Sequence, residues 1–131
     1  MSIEIALYAH LTNDTGVNAL VGSRVYPLQL SQGAALPAIS YQRISGPREY
    51  DLAGPTGRSR PRMQIDCWAN SYSTVKNLAS KVISSLNGLN GNMGGVDVDG
   101  IELEGERDGF EETTEYKRVI LEFKIPCKET T

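Results

Sequence analysis

Val75, Leu78, Ala79, Val82, Ile83 and Leu86 recur at the i, i+3, i+4, i+7 rhythm of a helix with one buried face, which predicts a helix over 72–86. Asn70 or Ser71 can cap its start, and Asn87-Gly88 ends it. Near the start of the chain, Ile3, Ala6, Leu7, His10 and Leu11 share a face, predicting a helix from Ile3 to about Asn13 capped by Ser2. Val17, Ala19, Leu20 and Val21 form a short second turn closed by Gly22.

Elsewhere the period drops to two. Met63, Ile65 and Cys67 alternate with Arg60, Arg62, Gln64, Asp66 and Trp68, so a strand over 59–69 has one core face and one polar face. Shorter strands are predicted over 24–28, where Pro27 points to a sheet edge, and over 38–44. Val119, Leu121, Phe123 and Ile125 mark a strand over 115–127, which pairs with another over 96–104. Between Ser45 and Gly57, Gly46-Pro47 and Gly54-Pro55 signal a loop or hairpin tip longer than a compact domain needs for a connection. Residues 87–95 read as a flexible glycine-rich loop.

The order α-β-β-β-α-β-β gives an α+β fold: a mostly antiparallel sheet with two helices packed on one face and a long extended hairpin arm over about 45–62. The 131 residues fit one domain spanning 1–131, with no internal repeat. No apolar run nears the roughly 18 residues of a membrane span, and no signal-peptide pattern opens the chain, so a cytoplasmic product is expected.

Charge narrows the function. The net charge of −3 argues against a general nucleic-acid binder. Cys67 and Cys127 form no CxxC and the chain has one histidine, which argues against zinc and against a histidine-based catalytic triad. His10, bordering an apolar helix face, reads as structural. The glycines of 88–95 follow a helix and enter a strand, the reverse of a phosphate-binding loop. No cofactor is implied.

Two charged regions stand out. Arg43, Arg48, Arg58, Arg60 and Arg62 face only Glu49 and Asp51, a local net of +3, with Tyr50 in the middle of the loop. From Asp97 to Glu115, nine carboxylates, among them Asp97, Asp99, Glu102, Glu104 and Glu106, face Arg107 alone, a local net of −8. A solvated strand face explains much of this run; a divalent-metal site of the nuclease type is the sharper alternative, although the spacing of a calcium loop is absent. A basic and an acidic hairpin on one small chain also fit head-to-tail pairing of identical subunits, a heterologous contact that can close into a ring.

The ordered segments Leu20-Val21-Gly22-Ser23-Arg24-Val25-Tyr26-Pro27, Gly33-Ala34-Ala35-Leu36-Pro37, Ile39-Ser40-Tyr41-Gln42-Arg43-Ile44, Gly54-Pro55-Thr56-Gly57 and Arg62-Met63-Gln64-Ile65-Asp66-Cys67-Trp68-Ala69 lead into Tyr72 and Leu78-Ala79. Together they resemble the tail completion or tail terminator family of long-tailed bacteriophages. The resemblance covers about two-thirds of the chain; the glycine-rich loop and acidic run lie outside it. It implies a non-enzymatic virion protein that forms a ring, usually of six copies, on the finished tail tube. Such a ring stops tube growth, meets the head-side connector or stopper protein, and passes DNA through its bore, with no membrane involved. On that reading Arg48, Tyr50, Arg58, Arg60 and Arg62 reach a neighbouring subunit or the tube. Asp97, Asp99, Glu102, Glu104 and Glu106 line the bore or face the neighbour's arginines. The alternatives are a head-completion or stopper-type neck protein, and a metal-dependent nuclease using Asp97, Asp99 and Glu102.

Overall fold

The computed structural model describes residues 2–30, 33–46 and 48–128. Two helices open the chain, α1 (Ile3–Asn13) and α2 (Thr15–Val21), followed by strands β1 (Val25–Pro27), β2 (Ala38–Ser45), β3 (Arg48–Asp51), β4 (Gly54–Ser59) and β5 (Arg62–Ala69). The long helix α3 (Tyr72–Leu86) precedes β6 (Asn90–Met93), β7 (Val96–Asp99), β8 (Glu102–Glu111), β9 (Tyr116–Lys124) and β10 (Cys127–Lys128). This is the expected α+β fold.

Local chemistry sets the helix ends. The Ser2 and Ser71 hydroxyls accept from the backbone N–H of Ile5 and Thr74. Asp14 closes α1 through its N–H to the His10 carbonyl and opens α2 by accepting from Val17 N–H with its side chain. One residue therefore serves two helices, which is why Asn13-Asp14-Thr15 bends the chain without a glycine. His10 belongs to this corner as a structural group: its Nε2 lies 2.9 Å from Ser85 Oγ and 3.1 Å from the Ser85 carbonyl, tying α1 to α3.

The strands form two five-stranded sheets, β1-β2-β5-β9-β8 and β3-β4-β10-β7-β6, rather than one. All pairs are antiparallel except β1 with β2. Three near-continuous runs cross from one sheet to the other. The first breaks at Arg60-Pro61, between β4 and β5, the second at Gly100-Ile101, and the third at Ile125-Pro126. Proline cannot donate to a central ladder, and Gly100 turns with φ +81°, so these positions make the corner. Ile125 N–H donating to the Pro61 carbonyl and Asp99 N–H donating to the Pro126 carbonyl stitch it.

The helices cover one face of the first sheet. Met63, Ile65 and Cys67 of β5 and Val119, Leu121 and Phe123 of β9 are fully buried there with Val75, Leu78, Val82 and Leu86 of α3 and Ile3, Leu7 and Leu11 of α1. The expected core face of each element is the observed one.

The acidic run and the glycine-rich segment differ from expectation. Asn90–Met93 is paired with Val96–Asp99 in a hairpin, Met93 is fully buried, and Gly94 lies against the α1 backbone. Polar residues and glycines hid this strand because only Met93 points inward. The strand expected over 96–104 is split at Gly100, and its second half continues to Glu111 as a ten-residue edge strand.

Candidate assembly interface

The arm is the β3–β4 hairpin, which reads as Arg48 paired with Ser59 and Asp51 with Gly54. It belongs to the second sheet and leaves the first sheet at the end where Ser45, Arg62, Lys124 and Glu102 lie in register. At its turn Leu52 is wholly exposed, and Tyr50 is 69% exposed. Neither apolar side chain gains burial within the subunit, so two of them sit side by side on the arm's surface.

The expected basic and acidic regions meet, in part, inside one subunit. Arg58 pairs with Asp99 and Arg62 pairs with Glu104 at 2.6 Å. Arg60 and Arg62 line a concavity of about 260 Å³ at the arm's base with Glu104 and Lys124. Glu106 lies 3.8 Å from Lys76, while Asp97 and Glu102 are exposed on separate sheets, the first register-paired with Lys128 and the second with Lys124. Arg48 is exposed at the start of the arm. Half-exposed pairs of this kind contribute about 0–1 kcal/mol each, so backbone register, not charge, positions the arm.

The nine carboxylates therefore do not form one surface. Asp97 and Asp99 lie on β7, whereas Glu106 and Asp108 point toward α3. Asp108 accepts from Tyr72 Oη at 2.8 Å and Lys76 Nζ at 3.3 Å; the Tyr72 hydrogen bond, followed by Lys76, holds its carboxyl below the usual range. Among the described residues no three His, Cys, Asp or Glu side chains converge as metal ligands. Both cysteines are buried and neither is in a disulfide; burial pushes the Cys67 thiol well up, which suppresses thiolate chemistry.

A second surface was not singled out by the sequence pattern. On the helix-free face of the first sheet, Asp66 is 2.6 Å from Arg118, whose guanidinium stacks 4.8 Å over the Trp68 ring. Trp68 Nε1 donates to Ser40 Oγ at 3.0 Å, and Gln64 Nε2 donates to Asp66. Ser40, Asp66, Trp68 and Arg118 floor a pocket of about 460 Å³ walled by Leu28, Leu30 and Ala34 and rimmed by Glu111 and Tyr116. Leu28 holds φ +68°, rare for a residue with a β-carbon, and is 73% exposed. The readable signal was Trp68 itself, an outward-facing tryptophan on an alternating strand.

The residues that hold this pocket also fall within the span that matches known proteins. A search of curated protein sequences finds no match. Among solved structures, a chain from the virion of a native gene transfer agent (GTA) particle shares the fold, with a TM-score of 0.80 at 21% identity over 98% of this chain and 96% of that one. The family model described as tail completion protein gp17 matches residues 5–126, from the first helix through the corner at Pro126, and the chain belongs to that family.

Proposed function

We propose that this structural protein of the phage tail caps the tail tube as a non-enzymatic ring of identical copies and ends tube growth. Family membership carries this reading, supported by an arm that holds Tyr50 and Leu52 exposed at its turn. In the ring, six copies enclose a bore that passes DNA, one rim seats on the tail tube protein and the other offers the joining surface to the head-side connector. The whole chain acts as one domain in this arrangement. The arm, with Arg48, Tyr50, Arg58, Arg60 and Arg62, reaches the next subunit or the tube. Asp97, Asp99, Glu102, Glu104 and Glu106 repel DNA phosphates from the bore wall or meet a neighbour.

The test is electron microscopy of lysates in which the gene is disrupted. Overlong headless tails beside DNA-filled heads are expected. Tails of normal length beside heads that have lost their DNA would refute the terminator role and place the protein on the head side as a stopper.

A further inference from the structure

The arm and the Trp68 pocket lie at opposite ends of the first sheet. The arm leaves beside Ser45, Arg62 and Lys124, whereas Ala38, Trp68 and Arg118 are register neighbours at the far end. Six residue steps along β5 separate Arg62 from Trp68, about 20 Å at the rise of a β-strand. A hairpin fixed in the second sheet by its pairing with β10 cannot turn back over that length to fill the pocket of its own chain. Any arm in the pocket comes from another copy.

We infer that the Trp68 pocket receives the arm of a neighbouring copy, with Leu52 and Tyr50 entering against Leu28 and the Trp68 ring; this rests on the arm-mediated ring proposed above. The two parts complement each other in several respects. One offers exposed apolar side chains on a two-stranded projection, and the other a concavity of about 460 Å³, within the roughly 300–1,000 Å³ range of pockets that hold a ligand. The Asp66–Arg118 pair and the Trp68–Ser40 hydrogen bond hold the floor in place before anything binds. Charge is compatible as well: Arg48 is exposed at the start of the arm, and the rim from Glu111 to Tyr116 carries Glu111, Glu112 and Glu115 with no cation. Leu28 keeps an unfavourable backbone conformation and an exposed apolar side chain at the mouth, a combination that serves binding better than folding.

Because arm and pocket are different surfaces, the contact is heterologous. This gives a mixing test that an isologous contact fails. Leu52→Asp removes the arm's apolar tip and leaves its pocket intact; Leu28→Asp spoils the pocket and leaves its arm intact. Both side chains are exposed, and Asp tolerates a positive φ, so thermal unfolding should match the wild type in each. Sedimentation, alone and on purified tail tubes, should show each variant weakened in self-association by at least about 100-fold. An equimolar mixture should recover a dimer and nothing larger, joined by the one good arm and the one good pocket. Copies carrying Leu52→Cys and copies carrying Ala34→Cys should cross-link on oxidation only when mixed, since both native thiols are buried.

Leu28→Asp that assembles like the wild type while Leu52→Asp fails would overturn the pocket assignment and leave the arm reading standing. Both variants assembling normally would remove the arm as well as the pocket. A mixture with no dimer and no cross-link would refute the heterologous pairing. A wild-type chain that stays monomeric alone and on tubes would refute the ring itself.

Discussion

Replacing Gly94 by alanine tests whether the glycine-rich segment is a packed hairpin or a loop. Gly94 has φ +56°, and a β-carbon built there would stand 2.4 Å from the Ala6 carbonyl oxygen and 3.0 Å from the Ala6 α-carbon. Those are backbone atoms of α1, held among fully buried neighbours Ile3 and Leu7, so no side chain can swing aside. An ordinary contact would need about 1 Å more, and overpacking of that kind costs about 1–3 kcal/mol. The left-handed conformation adds about 1–2 kcal/mol for a residue with a β-carbon, giving about 2–5 kcal/mol in all. For a chain of this size that lowers Tm by about 7–18 °C, measured by circular dichroism or calorimetry. Gly88→Ala is the control, since it also has a positive φ of +81° but meets nothing within 4 Å. It should show the conformational part alone. If Gly94→Ala unfolds no earlier than Gly88→Ala, the hairpin does not pack on α1 and the reasoning fails.

Three further outcomes follow from the side-chain chemistry. Burial opposes ionisation of Asp14, but hydrogen bonds from Val17 N–H, Ser85 and Gly16 N–H outweigh it and lower its pKa. Its stabilising share is therefore complete above the unfolded-state pKa near 3.8 and is lost as pH falls through the lower folded value; Asp14→Ala should cost about 1 kcal/mol at pH 7 and flatten that acid limb in urea titrations. Asp66→Ala strands the Arg118 guanidinium on a partly buried floor and should cost about 2–3 kcal/mol. The chain has one tryptophan, so fluorescence of Trp68 should shift in the same variant if Arg118 leaves its ring, and an unchanged spectrum would contradict the stacking. Finally, a thiol reagent should modify neither Cys67 nor Cys127 in the folded protein and both after denaturation; rapid native reaction would contradict their burial.

Elements with strong periodicity were legible from the chain alone. Val75 to Leu86 needs only local spacing to define a buried stripe, and Met63, Ile65 and Cys67 declare their face by alternation. The division into two sheets was not legible, because alternation runs from Ser59 into β5 and only pairing with Cys127–Lys128 on one side and β9 on the other separates the halves. The arm was visible through its Gly-Pro turns, whereas Leu52, a lone apolar residue in a turn, carries no periodic signal. The charge contrast was real in composition, but its partial resolution within one subunit at Arg58–Asp99 and Arg62–Glu104 depends on a corner that no local pattern encodes.

The two-residue strand β10 has a consequence for the order of synthesis. Among the described residues it alone joins the β3–β4 hairpin to the β6–β7 hairpin, pairing Cys127 with Ser59 on one side and with Val98 on the other. Residues 48–59 are translated long before their neighbour in the sheet, so the arm lacks its seat until Cys127 and Lys128 clear the ribosome. The aim of the arm is thus set only after every other strand of both sheets has been made.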